Sequence, residues 1–129
     1  MAKPEGKYFK FNSEDDINSD FLETFPFDSP NQYIMTETDE FSAVCPFSGL
    51  PDMAYVKIEY FPKGGKCIEL KSLKYYLLSY RSVGIVQEHA ANRILKDLVD
   101  ACDPEWMRIT LIYNVRGGME TTVLASHCS

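Results

Sequence analysis

Between Met53 and Tyr60 the chain alternates. Ala54, Val56, Ile58 and Tyr60 fall on one side, and Tyr55, Lys57 and Glu59 on the other. A period of two marks a half-buried strand. Tyr33 to Val44, with Ile34, Phe41 and Val44 among threonines and acids, reads as a strand leading into it. Phe61-Pro62-Lys63-Gly64-Gly65 is turn chemistry, and Lys66 to Leu70 reads as the return strand of a hairpin with 53–60. The period then lengthens: Leu73, Tyr76, Leu77 and Tyr80 recur at three and four residues, and Gly84 interrupts them. A second helix is expected from about Val86 to Cys102, burying Ala91, Ile94, Leu95, Leu98 and Cys102, with Asp103-Pro104 ending it. Met107 to Asn114 and Glu120 to Ala125 form a second hairpin around Arg116-Gly117-Gly118. Strands, two helices and strands in this order predict an α+β domain with helices on one face of an antiparallel sheet. Its two open edges predict self-association.

Residues 1–30 break this pattern. They are polar, acidic at Glu14, Asp15 and Asp16, and contain Pro26 and Pro30. We expect an N-terminal arm there and a single domain over 31–129. The arm either packs Phe21, Leu22, Phe25 and Phe27 on the body or on a neighbour, or is partly disordered. A chain of 129 residues holds one real core. The net charge of −6 argues against general polyanion binding, so no direct nucleic-acid partner is expected, and a phosphate-bearing ligand must find a local basic cluster. No apolar run of 18 residues and no secretory h-region occur, so the expected place is the cytoplasm, away from membranes. Cys45, Cys67, Cys102 and Cys128 lack CxxC spacing and the histidines are only His89 and His127, so neither a standard zinc site nor a disulfide framework is written here.

Three strings carry candidate chemistry. In FSAVCPFSGLPD, Cys45 stands seven residues ahead of Asp52, with Pro46, Gly49 and Pro51 between them. The prolines and the glycine make a loop that brings a possible nucleophile near a possible proton donor. In ELKSLKYY, Lys71 and Lys74 share a face near a helix start, where ammonium groups and backbone N–H groups together favour phosphate; a solvated charged face is the plainer alternative. Glu69, at the end of the preceding strand, is read as buried. In VQEHAAN, Glu88 suits either the helix dipole or a pair of N–H donors on an aminopyrimidine edge, and His89 beside it is either a proton carrier or structural. Arg116-Gly117-Gly118 adds a guanidinium on flexible backbone.

CPFSGLPD, ELKSLKYY, the ExxxN of Glu88 and Asn92, and RGG stand in one order at compatible spacings over 41–118. Together they closely resemble the short, single-domain form of the NADPH-dependent 7-cyano-7-deazaguanine reductase family. The resemblance implies the tunnelling fold, a β-β-α-α-β-β unit assembling into homo-oligomeric rings with active sites between subunits. It implies reduction of a nitrile to an aminomethyl group for queuosine in tRNA. Cys45 would attack the nitrile carbon to form a thioimide, Asp52 would donate the proton, and two NADPH would supply the reducing equivalents. Glu88, with Gln87, would meet the guanine-like edge; Ile68, Glu69 and Leu70 would line the base pocket; Lys71, Lys74 and Arg116 would meet the NADPH phosphates. No metal is implied. The family usually places a histidine where Gln87 stands. Gln87 cannot shuttle a proton at neutral pH, and His89 lies about 200° around the helix from it.

Two other readings remain open at this level. One is a tunnelling-fold amidinotransferase acting on deazaguanine in tRNA, which shares the thioimide step but has no use for a phosphate cluster. The other is a non-catalytic purine- or pterin-binding module using Glu88 alone.

Overall fold

The alternating segment becomes an inner strand of the sheet. The computed structural model describes residues 10–28, 31–62 and 65–129. Residues 1–9, 29 and 30 of the expected arm, and Lys63 and Gly64 of the expected turn, lie outside these. Strand β1 spans Thr24–Pro26, β2 Ile34–Val44, β3 Pro51–Phe61, β4 Lys66–Ile68, β5 Trp106–Tyr113 and β6 Thr122–Cys128; helices α1 (Leu70–Leu78) and α2 (Gln87–Cys102) lie between β4 and β5. A four-stranded antiparallel sheet runs β2-β3-β5-β6. In it Ala54, Val56, Ile58 and Tyr60 of β3 and Met107, Ile109, Leu111 and Tyr113 of β5 join one buried cluster with Leu73, Tyr76 and Leu77 of α1 and Ile94, Leu95 and Leu98 of α2. Each such aliphatic side chain contributes roughly 1.5–3 kcal/mol by leaving water, which is what holds both helices on that face.

One expected pairing is corrected. Lys66 to Leu70 is not the return strand of a hairpin with 53–60: β4 ends at Ile68 and pairs with β1, Thr24 opposite Ile68 and Pro26 opposite Lys66. The edges of β3 are already taken by β2 and β5, so β4 has no free hydrogen-bonding edge there. Leu70 belongs to α1, and Glu69 caps that helix, its carboxylate accepting from the N–H groups of Lys71 and Ser72 at 2.8 Å each.

Buried charge is paired on both sides of the sheet. Between the helices, Asp97 accepts from Tyr76 Oη at 2.7 Å and Arg93 Nε at 2.8 Å, and Tyr80 Oη lies 2.7 Å from Tyr76 Oη. On the helix-free face, buried Glu59 accepts from Arg108 Nε (3.0 Å) and Nη2 (3.2 Å) and from Tyr33 Oη. Such donors compensate carboxylates that burial alone would expel.

The described part of the arm is joined to the body. Ile17 is buried in the core. The N–H of Asn12 donates to Ser82 O (2.6 Å) and its carbonyl accepts from Gly84 N–H (2.8 Å). On the other side of the same strip, Val44 N–H donates to Val83 O (2.9 Å) and Ile85 N–H donates to Val44 O (3.0 Å). The Phe11 ring lies against Gly84, where a Cβ would stand 2.1 Å from two ring carbons. Only glycine leaves that room.

Candidate active site

Cys45 sits just past the end of β2, in the loop that turns the chain into β3. The loop closes on itself: Cys45 N–H donates to Leu50 O (2.9 Å), and Gly49 N–H donates to Cys45 O (2.8 Å). This curls Pro46-Phe47-Ser48 around the sulfur. Burial pushes the Cys45 thiol up, but the Ser48 hydroxyl, the backbone N–H groups of Phe47 and Ser48, and the Arg116 guanidinium stabilise the thiolate and bring it below its ordinary value. Cys67 and Cys102 are driven the other way by burial, Cys102 up to about 12. Environment therefore singles out Cys45 from the buried thiols.

Asp52 extends the apolar stripe of β3 by one step, on the same side as Ala54, Val56 and Ile58, and is 6% exposed. A carboxylate at the end of a core stripe needs donors. Arg116 Nη1 supplies one at 2.9 Å and Gln87 Nε2 a longer one at 3.4 Å, both to Oδ1. Gln87 opens α2, whose N-cap Val86 provides no side-chain cap, so the positive end of that helix dipole faces the same space. Arg116 is aimed by a tight turn in which it bridges to Met119, with Gly117 and Gly118 at φ +57° and +78°. Two central residues with positive φ are what such a hairpin turn requires.

These residues bound one cleft of about 300 Å³, which Cys45, Asp52, Gln87, Glu88, Arg116 and Asn114 help to line. Burial and the charges of Asp52 and Glu88 together raise the Tyr113 hydroxyl, placing it within their field. His89 points elsewhere, its Nε2 2.8 Å from Glu14 Oε1 on the arm.

The remaining expected residues lie at the other end of the sheet. Ile68, Glu69 and Leu70 line a hollow of about 390 Å³ with Phe25, Ile58 and Tyr60. Lys71 and Lys74 are exposed on α1, with no salt bridge on either ammonium group among the described residues. Ile68 N–H donates to Tyr60 Oη at 3.0 Å, which ties this end to the far end of β3. At about 3.3 Å per residue, Asp52 and Tyr60 stand roughly 26 Å apart along that strand. Arg116 therefore joins Cys45 and Asp52, not Lys71 and Lys74, within one chain. Glu69 is only half-buried, and its carboxylate is held below its usual range by the Lys71 and Ser72 N–H groups. Sequence reasoning passed over Ser48 and the Phe47–Ser48 backbone. A serine three residues after a cysteine in a proline-bounded loop was the available signal.

A family model described as QueF-like protein matches residues 51–129. A Thermotoga maritima protein named NADPH-dependent 7-cyano-7-deazaguanine reductase is 57% identical over 122 residues, covering 95% of this chain and 89% of that protein. A protein of the same name from Caldicellulosiruptor bescii is 46% identical over 127 residues, covering 97% and 96%. Among solved structures, that of the archaeosine synthase QueF-Like in the apo form superposes with a TM-score of 0.66 at 28% identity, covering 77% of this chain and 95% of that one.

Proposed function

The chain belongs to the QueF-like family, and from that premise we propose that it is an NADPH-dependent reductase converting the nitrile of 7-cyano-7-deazaguanine to an aminomethyl group, in queuosine biosynthesis. The observation that carries the reading is one cleft holding a thiol with depressed pKa, a buried carboxylate and a carboxylate at a helix start: Cys45, Asp52 and Glu88.

A nitrile carbon resists direct reduction, and a sulfur nucleophile converts it to a more electrophilic C=N that stays tethered. Cys45 Sγ bonds to the nitrile carbon as its S–H bond is lost, one C–N π bond opens, and a proton reaches the nitrogen by way of Asp52. Atoms balance, because a thiol has added across a triple bond. NADPH, when bound, supplies the reducing equivalents, two cofactors per nitrile. Glu88, exposed at the cleft, accepts from the N–H edge of the guanine-like ring, with Gln87 beside it holding Asp52. Lys71 and Lys74 suit the nucleotide phosphates through their ammonium groups. The first helical N–H groups do not add to them, because Glu69 already occupies those of Lys71 and Ser72. Ile68 and Leu70 offer apolar surface to the base, and Glu69 serves by fixing the helix start.

The separation of the two ends supports a site completed by a second copy, with the Cys45 end of one chain meeting the Lys71 end of another. Among the described residues no strand pairs with the outer edge of β6, nor with that of β2 beyond the contact of Val44 with Val83 and Ile85, which leaves edges for such an assembly. A homo-oligomer is expected.

The likeness to an archaeosine synthase structure favours a second reading, an amidinotransferase that keeps the thioimide step. Mass spectrometry of the protein with 7-cyano-7-deazaguanine, without NADPH, tests both. A covalent adduct of the substrate's mass is expected, absent in Cys45→Ala. Added NADPH should then be consumed at about two equivalents per nitrile. An adduct with no NADPH oxidation decides for the transferase; no adduct rejects both.

A further inference from the structure

We propose that Arg116 is a positioning residue that holds the nucleophile and its acid partner together at the Cys45 end of the cleft. This rests on the reductase reading for its purpose, but not for its geometry. The guanidinium lies 2.9 Å from Asp52 Oδ1 through Nη1, lines the same cleft as Cys45, and favours the Cys45 thiolate. Its backbone is fixed by the hydrogen bonds it exchanges with Met119, N–H to O at 2.8 Å and the reverse at 2.9 Å. Gln87 meets the same oxygen of Asp52 from α2. Asp52 is therefore gripped from a turn and from a helix, and the turn's guanidinium also favours the thiolate across the cleft.

The groups facing the sulfur have opposing effects. Arg116 on the turn stabilises the thiolate. Asp52 on β3 and Glu88 on α2 line the same cleft, where negative charge disfavours a thiolate, and Tyr113 of β5 is neutral at ordinary pH. Asp52 also competes for the guanidinium. Loss of Arg116 and loss of the Asp52 charge should consequently move the thiol in opposite directions. A residue that merely braced the loop would not produce that pair of signs.

The test is the pH dependence of iodoacetamide alkylation at Cys45 in the full chain without substrate. It is read on the Cys45 peptide so that exposed Cys128 does not contribute. In Arg116→Gln the titration should move to higher pH, with alkylation at pH 7 falling on the order of three- to tenfold. Arg116→Lys should recover part of this, and Asp52→Asn should move the titration to lower pH. Coincident profiles for wild type and Arg116→Gln, or shifts of one sign in Arg116→Gln and Asp52→Asn, overturn the proposal. If Arg116→Gln does not fold, Arg116→Lys and Asp52→Asn decide it alone. The nitrile adduct is a separate measurement. Opposite shifts without an adduct leave Arg116 in place and remove the reductase reading, and an adduct without the shifts does the reverse.

Discussion

The two ends of the sheet are built on different principles. At the Cys45 end the thiol and the acid are both held: the thiol sits among N–H and hydroxyl donors, and Asp52 is buried between Arg116 and Gln87. At the Lys71 end the hollow below Glu69 and Leu70 is mostly apolar, and the two ammonium groups stand in solvent. Preorganised polar groups suit bond making, since they need no rearrangement as charge develops. Exposed lysines on the helix that borders an apolar hollow suit capture of a ligand with a flat ring and phosphates. On the proposed reading one end does chemistry and the other holds what reacts, and a single copy keeps them apart.

The sharpest break of this contrast comes at the Cys45 end. Cys45→Ala should abolish both adduct and turnover, while Asp52→Asn should still bind the base, by calorimetry, yet lose about 100-fold or more in turnover. Full activity in Asp52→Asn would take it out of the mechanism. At the other end, Lys71→Glu with Lys74→Glu should raise KM for NADPH at least tenfold and leave adduct formation without NADPH intact. Co-refolding that double variant with inactive Cys45→Ala should restore activity at about a quarter of the sites, since each complete site takes one intact end from each chain. No restoration would mean that a single copy contains the whole site.

A smaller effect concerns the face that stiffens the Lys71 end. Burial pushes Glu59 up, but hydrogen bonds from Tyr33 and Arg108 and the Arg108 charge outweigh it, so its carboxyl is held below its ordinary value. A depressed carboxylate contributes stability that is fully present above the unfolded value and lost as pH falls through the folded one. The contribution of Glu59 should therefore hold at neutral pH and fade below about pH 4.5. Arg108→Met should cost about 2 kcal/mol near neutrality in urea titrations, with the difference shrinking in acid. A pH-independent difference would reassign the effect to lost packing on Trp106, which the guanidinium overlies at 5.5 Å. The smallest effect is at Gln87→His, which gives the position a titratable ring beside Asp52. A few-fold change in kcat with a new inflection between pH 6 and 7 is expected, and an unchanged profile would show that the position does not enter proton transfer.

What could be read from the chain follows the range of the forces involved. The stripe Ala54–Tyr60 and the helical stripes were legible because side-chain periodicity is local. The loop from Cys45 to Asp52 was legible because proline and glycine state their own conformations. The partner of Lys66–Ile68 was not, since strand pairing depends on which edges remain free once β2 and β5 have claimed β3. Glu69 was read as a buried strand-end acid because nothing local distinguishes that from a cap on the next helix. Arg116 was grouped with the lysines by its charge and by the family resemblance. Its neighbour within the chain, Asp52, lies 64 residues away and is reached only through the fold.

The strip Ser82–Ile85 carries one more implication. It is stitched to Asn12 on one flank and to Val44 on the other, with Phe11 lying on Gly84. The tail and the seat of the sulfur thus answer to a common spacer, and drift at position 11 is not free of position 84. Chimeras that exchange tails between relatives should keep their reactivity only where the ring and the bare backbone travel together.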